Sequence, residues 1–349
     1  MFNLFQKKQE RQLGIDLGTS AIKVVELEKK NQRFVLSTYG IFPFKKYLSV
    51  PREEATNYEY DFNSTFGRDF SQLIKDALKT ARVRTNEASV SFPIFSSFST
   101  IIDLPETMSE KEMAAAIPFE AKRYIPIPMA EVELDWTIID AEGGFSRVLL
   151  VAVTKDILKR YTKLSASTGL KVNSFEVEAF SLVRSLVGKD KSGILLIDIG
   201  ARNTNVIIVN GGLIREVHNL RLGGAEMTEL FSRRLNIDME TAEMRKRFSH
   251  SYDSEFKEAY LHIANLFLGK ISMVMDDYKK RYKKDVDKCI LSGGAGIPFL
   301  KDYFAQRLKM DVVVGNCFAK VQYPPELENA LKEIGPSLAV AVGLAMKGI

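Results

Sequence analysis

Apolar residues near the start of the chain fall into short, nearly continuous runs. Residues 13–16 read as a buried strand, and 21–28 and 33–39 as its next two partners, rich in Val, Ile, Phe and Leu. Residues 47–68 mix aromatics, charges and Pro51, and read as a long loop or irregular hairpin. The period then changes. Phe70, Leu73, Ile74, Ala77 and Leu78 form a helical stripe and predict a helix over 70–81.

A separate α+β unit follows. Ser109 and Glu112 make a capping box that starts a helix holding Met113, Ala116 and Ile117. Pro118 lies inside that pattern and is expected to kink or divide the helix, because proline lacks the amide the ladder needs. Val132, Leu134, Trp136 and Ile138 alternate as a half-buried strand, 147–153 is a second strand, and 154–168 is a helix closed by Gly169. The second half opens with a strand over 193–198. Two helices come next, then a long one over 253–283. Its stripe of Phe256, Tyr260, Ile263, Phe267, Ile271, Val274 and Tyr278 reads as core packing rather than a cofactor box. A buried strand at 289–291 precedes a glycine turn, and the Ala-rich stretch 336–346 reads as a buried helix.

With 349 residues and 46% hydrophobic positions, the chain has material for two cores. The net charge of +5 comes from 49 basic and 44 acidic residues and is spread out. The densest basic stretch, 279–284, is interrupted by Tyr282 and followed by Asp285 and Asp287, so it reads as a solvated helix end and not a nucleic-acid patch. No apolar run approaches the roughly 18 residues a membrane helix needs. The first residues turn polar at once and carry no secretory signal; 1–12 reads as a tail, with a small amphipathic anchor as the alternative. Cys289 and Cys317 have no CxxC spacing, which fits a reducing cytosol, and His218, His250 and His262 form no metal-ligand pattern.

Two segments echo each other at an offset of 182, from Asp16 to Asp198. Each is an apolar strand, then Asp-x-Gly and small polar residues, then another apolar strand. Such a hairpin suits phosphate: glycine lets the backbone come close, and free amides and hydroxyls donate to oxyanions. Candidate contacts on the first are Asp16, Gly18, Thr19, Ser20 and Lys23; on the second they are Asp198, Gly200, Asn203 and Thr204. Asp16 and Asp198 would repel phosphate unless Mg²⁺ and its waters lie between, so both are candidate metal residues acting through water. A third motif, Ser292-Gly293-Gly294-Ala295-Gly296-Ile297, ends a strand and opens a helix, a place for a base or ribose to lie on backbone. Gly293, Gly294, Ala295 and Ile297 are the candidates there. It is not a GxxxxGK[ST] loop.

In this order the motifs resemble those of the actin/Hsp70/sugar-kinase superfamily, with 13–27, 176–185, 195–212, 290–304 and 335–348 as the phosphate-1, connect-1, phosphate-2, adenosine and connect-2 segments. The resemblance implies an α/β fold of two lobes with duplicated ribonuclease-H-like cores, binding ATP and Mg²⁺. It makes Glu178 the candidate that orients the attacking water, where an exposed helix-start glutamate is the bland alternative. Ala242-Glu243-Met244-Arg245-Lys246 resembles the element whose Glu243 and Lys246 reach ribose and base; without the resemblance they are a surface i,i+3 pair. The second hairpin departs from the superfamily pattern with Arg202 and Asn205, which implies a slow ATPase at most.

Leu104-Pro105, residues 117–126, Asp135-Trp136 and the ending from Gly335 closely resemble the PilM family of type IV pilus assembly proteins. That resemblance implies an FtsA-type 1C subdomain at 98–172. Around it stand a tail at 1–12, subdomain 1A at 13–97 with 173–193 and 335–349, subdomain 2A at 194–225 with 285–334, and 2B at 226–284. FtsA usually continues into a linker and a membrane helix, which this sequence lacks. The implied role is a cytoplasmic protein at the inner face of the inner membrane, peripheral to it through PilN. There it would bind the N-terminal segment of PilN against a strand edge or apolar groove beside 1C and connect indirectly to motor ATPases, with self-association possible. An FtsA-like filament protein and a small-molecule kinase are the alternatives.

Overall fold

The structure is a computed structural model that describes residues 11–44, 70–92, 97–125, 127–248, 254–294 and 298–347. The expected loop at 47–68, and the Phe256 side chain of the long-helix stripe, lie outside the described residues.

The first lobe is built on strands β1 (Arg11–Leu17), β2 (Ala21–Lys30), β3 (Arg33–Pro43), β4 (Glu87–Phe92) and β8 (Lys171–Val177), with helix α1 (Phe70–Thr80). Inserted between β4 and β8 are β5 (Ser97–Pro105), α2 (Glu110–Ala121), β6 (Val132–Glu142), β7 (Phe145–Thr154) and α3 (Lys155–Thr168). A short helix α4 (Glu178–Leu182) continues as a π-turn to Val187. The second lobe holds β9 (Ile194–Ile199), β10 (Thr204–Asn210), β11 (Leu213–Leu220), α5 (Gly224–Leu235), α6 (Met239–Phe248), α7 (Ser254–Tyr282), β12 (Lys288–Gly293), α8 (Pro298–Leu308) and β13 (Asp311–Val314). Strand β14 (Val321–Gln322) and helix α9 (Glu328–Lys347) return to the first lobe.

One sheet runs β14-β3-β2-β1-β4-β8 and another β11-β10-β9-β12-β13. Five strands of the first repeat the order of the second: two antiparallel hairpin pairings, then two parallel ones. The expected duplicated core is therefore present. Strands β1 and β9 read as continuous apolar runs because both their faces are covered. On one face of β1, Leu13, Ile15 and Leu17 pack with Phe70, Ile74 and Ala77 of α1. Between the two sheets lie α4 and α9, whose Leu182, Leu338 and Val342 share a core with Leu196 and Ile207. The approach is close. A Cβ on Gly14 would strike the Ala341 carbonyl and come 2.7 Å from the Ala345 nitrogen. One on Gly343 would strike the Ser181 carbonyl. The outer face of the second sheet packs on α5, α7 and α8, and there Tyr260, Ile263, Phe267, Ile271, Val274 and Tyr278 are all buried.

The inserted unit is a β5-β7-β6 sheet over α2. Its capping box is formed as expected, with the Ser109 amide donating to Glu112 at 2.8 Å. Three expectations need correction. Helix α2 is not divided by Pro118, which lies on its exposed side, where water can serve the carbonyl left without a partner. Ile138 is 42% exposed because the register shifts between Ile138 and Asp140 and turns Ile139 inward instead. Leu73 is exposed on α1. The unit also reaches the second lobe: Asp140 accepts from Arg215 of β11, and the Arg147 guanidinium lies 5.0 Å from the Tyr282 ring centroid at the end of α7.

Candidate nucleotide cleft and an adjoining cavity

The β1–β2 and β9–β10 hairpins end in the same turn. The Gly18 amide donates to the Ala21 carbonyl at 3.1 Å, and the Gly200 amide to the Asn203 carbonyl at 2.9 Å. A Cβ on Gly200 would lie 2.8 Å from that carbonyl, so the tight form requires glycine there. Thr19 and Ser20 sit partly exposed at the first tip.

The two aspartates have different company. Asp16 is buried, accepts from Lys23 at 3.0 Å with one oxygen and from Ser91 at 3.0 Å with the other. Asp198 stands across the ladder from Asn205 and beside the Ser292 hydroxyl. Asn205 donates to Glu178 at 2.8 Å and accepts from Asn219 at 2.8 Å. Glu178 opens helix α4 directly after β8, so the end of that strand aims it between the hairpins. Burial, then the charges of Asp16 and Asp198, push its carboxyl up to about 8. Burial also pushes Asp198 up to about 6, with Asp16 adding to the rise and Lys23 opposing it. Burial alone would lower Lys23, but Asp16, with Asp198 and Glu178 behind it, outweighs that and raises it.

Three carboxyl groups thus face one ammonium, and a divalent cation would favour the ionised form of all three. Among the described residues no three acidic, His or Cys groups are close enough to hold a bare ion. The second hairpin offers an unmet polar atom, since Asn203 Oδ1 is buried without a partner. Gly293 has φ +72°, and a Cβ there would lie 2.8 Å from Asp198 Oδ1; on Gly294 it would lie 3.1 Å from the Ile199 carbonyl. The backbone at this turn is therefore bare and closely set against the second hairpin. Ala295 and Ile297 lie outside the described residues. These features fit a nucleotide with its metal.

Other expectations are revised. The buried Thr204 hydroxyl points away from the tip and donates to the Leu222 carbonyl at 2.8 Å, because the residue begins β10. Glu243 and Lys246 are a buried pair and not a surface one. The Lys246 ammonium also donates to the Gly224 carbonyl and to Thr228, each at 2.8 Å. Burial alone would raise Glu243, but Lys246, followed by Thr228 and Arg247, holds it down at about 2. The pair acts on the cleft through a loop that sequence reasoning missed. Gly224 and Ala225 donate to the carbonyls of Gly200 and Ala201 at 2.9 and 2.7 Å, and a Cβ on Gly223 would lie 2.7 Å from the Ala201 carbonyl. The available signal was Gly223-Gly224 before a helix, with Glu226 three residues on accepting from the Gly223 amide at 2.7 Å.

A second concavity, of about 540 Å³, lies between the inserted unit and the first lobe. Strands β6 and β7 and helix α3 form one wall; β8, α4 and Lys347 at the end of α9 form the other. Glu176 on its floor is saturated, accepting from Arg184 at 2.7 and 2.8 Å and from Ser181 at 2.8 Å, with Lys347 at 3.2 Å.

The chain is similar to a solved structure described as a PilM-PilN type IV pilus biogenesis complex, at 25% identity over 98% of this chain and 99% of that one, with a TM-score of 0.84. It shares its fold with the ethanolamine utilization protein EutJ from Carboxydothermus hydrogenoformans, at 15% identity, 97% and 90% coverage and a TM-score of 0.51. The family model for type IV pilus assembly protein PilM matches residues 14–349. With nearly the whole chain matched, and with the duplicated lobes of an actin-like ATPase fold, this chain belongs to the PilM family of type IV pilus assembly proteins.

Proposed function

We propose that the chain is the ATP-binding, actin-like component of a type IV pilus inner-membrane assembly complex. It takes the cytoplasmic N-terminal segment of PilN and connects it to the motor ATPases from the cytoplasmic side. The observation that carries this reading is one stretch of backbone with two outlooks. Phe175, Glu176 and Val177 of β8 line the 540 Å³ cavity, and the next residue, Glu178, enters the cleft between the hairpins. The segment 98–172 is read as the 1C subdomain, and the cavity between it and the first lobe as the PilN groove.

In the cleft, the amides of both hairpin tips and Lys23 would hold phosphates, and Gly293-Gly294 the adenosine. Magnesium, when bound, would offset phosphate charge, and Asp16 and Asp198 would hold it through water. Glu178 would orient a water, and the lack of an acidic group at Asn205 keeps hydrolysis slow. Any coupling requires the cleft states to differ in their affinity for the segment, since a ligand shifts only what it distinguishes. Co-purification with a PilN N-terminal peptide, with and without Mg-ATP, tests the reading. Binding that depends on nucleotide supports it, and no binding in either condition overturns the partner assignment.

A further inference from the structure

Helices α1 and α3 pack side by side over one face of the first sheet. Ile74 and Ala77 of α1 and Ile157 and Tyr161 of α3 share a core there with Leu13, Ile15 and Val24. The opposite sides of both helices therefore look outward together. The duplicated lobe has a counterpart, since α5, α7 and α8 cover the outer face of the second sheet. The two outer faces differ in charge. Helices α5, α7 and α8 carry nine basic and seven acidic residues, whereas α1 and α3 carry six basic and two acidic. Arg82 and Arg84, both exposed, follow α1 directly. With them these segments hold eight basic residues against two acidic, a larger excess than the +5 of the whole chain.

The arrangement repeats on each helix. Lys75 and Lys79 stand four apart on α1, Lys159 and Lys163 four apart on α3, and all four are exposed. Like charges at that spacing lie one turn apart and destabilise a helix. The acidic residues nearby do not relieve them: Asp156 is taken by Arg160 at 2.7 Å, and Asp76 accepts from Gln72 at 2.9 Å. Packed helices lie about 8–10 Å apart, so the two lysine pairs form one patch. Such a patch costs the free protein stability and suits a surface that supplies negative charge.

The chemistry favours lipid over other polyanions. Among the described residues this face exposes no aromatic ring on which a base could stack, since Phe70 and Tyr161 are buried. Lysine is a point charge on a flexible stem, and it suits a diffuse anionic surface better than a phosphate of fixed geometry. Leu73, on the flank of α1, adds an exposed apolar side chain beside the patch.

We propose that the α1–α3 face is a binding site for anionic phospholipid, through which the chain lies directly against a membrane surface. The proposal goes beyond the partner reading above, because it needs no second protein.

In the test, the full chain is sedimented without any peptide, with vesicles of phosphatidylcholine alone and of phosphatidylcholine with phosphatidylglycerol. Binding is expected to the anionic vesicles only, and weakens as salt is raised. Lys159→Gln with Lys163→Gln should weaken it about 25-fold, fivefold for each charge lost near an anionic surface. Lys75→Gln with Lys79→Gln should do the same. Lys270→Gln with Lys280→Gln, which removes two exposed lysines of α7, should change it less than about twofold. Equal losses in all three double variants would mean that net charge and not this face attracts the vesicle, and would overturn the site. Equal binding to both vesicle types, or none to either in low salt, overturns lipid as the ligand. Single-stranded DNA held more tightly than the anionic vesicles in the same salt, with the same lysine dependence, overturns it in favour of nucleic acid. Each of these failures leaves the PilN reading standing, since no part of that partner is present.

Discussion

The two hairpins at the cleft match residue for residue at an offset of 182, and the mismatches show how a duplicated fold becomes asymmetric. Asp16 corresponds to Asp198, Gly18 to Gly200, and Lys23 to Asn205. Ser91 on β4 and Ser292 on β12 occupy the same topological place beside each aspartate. What differs is the group across the ladder. Lys23 supplies a charge to Asp16, whereas Asn205 supplies only neutral hydrogen bonds, to Asp198 and to Glu178. The crowding of carboxyls without an adjacent ammonium therefore falls on Asp198 and Glu178, which keep protons to higher pH than free carboxyls do. A cation entering the cleft would displace those protons.

The largest break in the comparison is one turn from the chemistry. Gly14 corresponds to Leu196, since β1 meets the backbone of α9 and β9 meets side chains. Gly14→Leu has no route for relaxation against helix backbone, and should cost more than about 4 kcal/mol, giving little soluble folded protein. Leu196→Ala leaves a cavity and should cost about 2–5 kcal/mol, with a folded product. Denaturant melts of both variants distinguish the two packings; equal costs would mean that the Gly14 contact relaxes.

Next in size is the loss of Asp16. Asp16→Ala should weaken Mg-ATP binding by about 1–3 kcal/mol by calorimetry, and leave Lys23 as a part-buried ammonium without its nearest partner. Asp198→Asn should act oppositely on the protein without nucleotide, by removing a carboxylate that repels Glu178, and raise its melting temperature. If both variants shift the nucleotide-free melting temperature the same way, the charge asymmetry is not what separates the hairpins.

The asymmetry has a pH signature. Glu178 rises from 4.5 to about 8 and Asp198 from 3.8 to about 6 in the fold, so folded protein keeps protons that the unfolded chain releases. Stability then falls as pH rises across that window, because the unfolded state binds fewer protons. The melting temperature of nucleotide-free protein should decline from pH 5 to 8, and Glu178→Gln should flatten the decline. A flat wild-type profile would remove the argument for crowded carboxyls.

Much of this was legible in the sequence, and the rest was hidden for physical reasons. The hairpins were visible because Asp-x-Gly between apolar runs recurs at one offset. Strands β4, β5 and β8 were not expected: β4 and β5 carry two serines each and β8 carries Asn173 beside Ser174, residues that read as loop. In the fold these serines are satisfied by one another, with Gln12 and Ser174 both donating to Ser89 at 3.0 Å. Helix α9 was expected only over its apolar half, since the polar turns before Pro336 gave no stripe. The burial of Glu243 and Lys246 depends on a loop 20 residues away in sequence, Gly223-Gly224, and spacing alone cannot show that.

The smallest predicted effect falls on Thr204, where the sequence pattern points to phosphate and the geometry points away. A threonine after Asp-x-Gly has the right hydroxyl, but the face it presents depends on where the strand begins. Here β10 begins at Thr204 itself, paired with Ile199, so the side chain turns to the Leu222 carbonyl. Thr204→Val keeps the shape and removes that one hydrogen bond, at about 1 kcal/mol of stability. Mg-ATP affinity should change by less than about twofold, under about 0.4 kcal/mol. The other hairpin threonine, Thr19 at the first tip, stands where the second has Ala201; Thr19→Val removes a partly exposed hydroxyl from the cleft side and should weaken affinity more. Calorimetric titration of the two variants under one set of conditions decides it. If Thr204→Val proves the more damaging, the hydroxyl must turn to the ligand on binding, and the two tips are more alike than their resting geometry suggests.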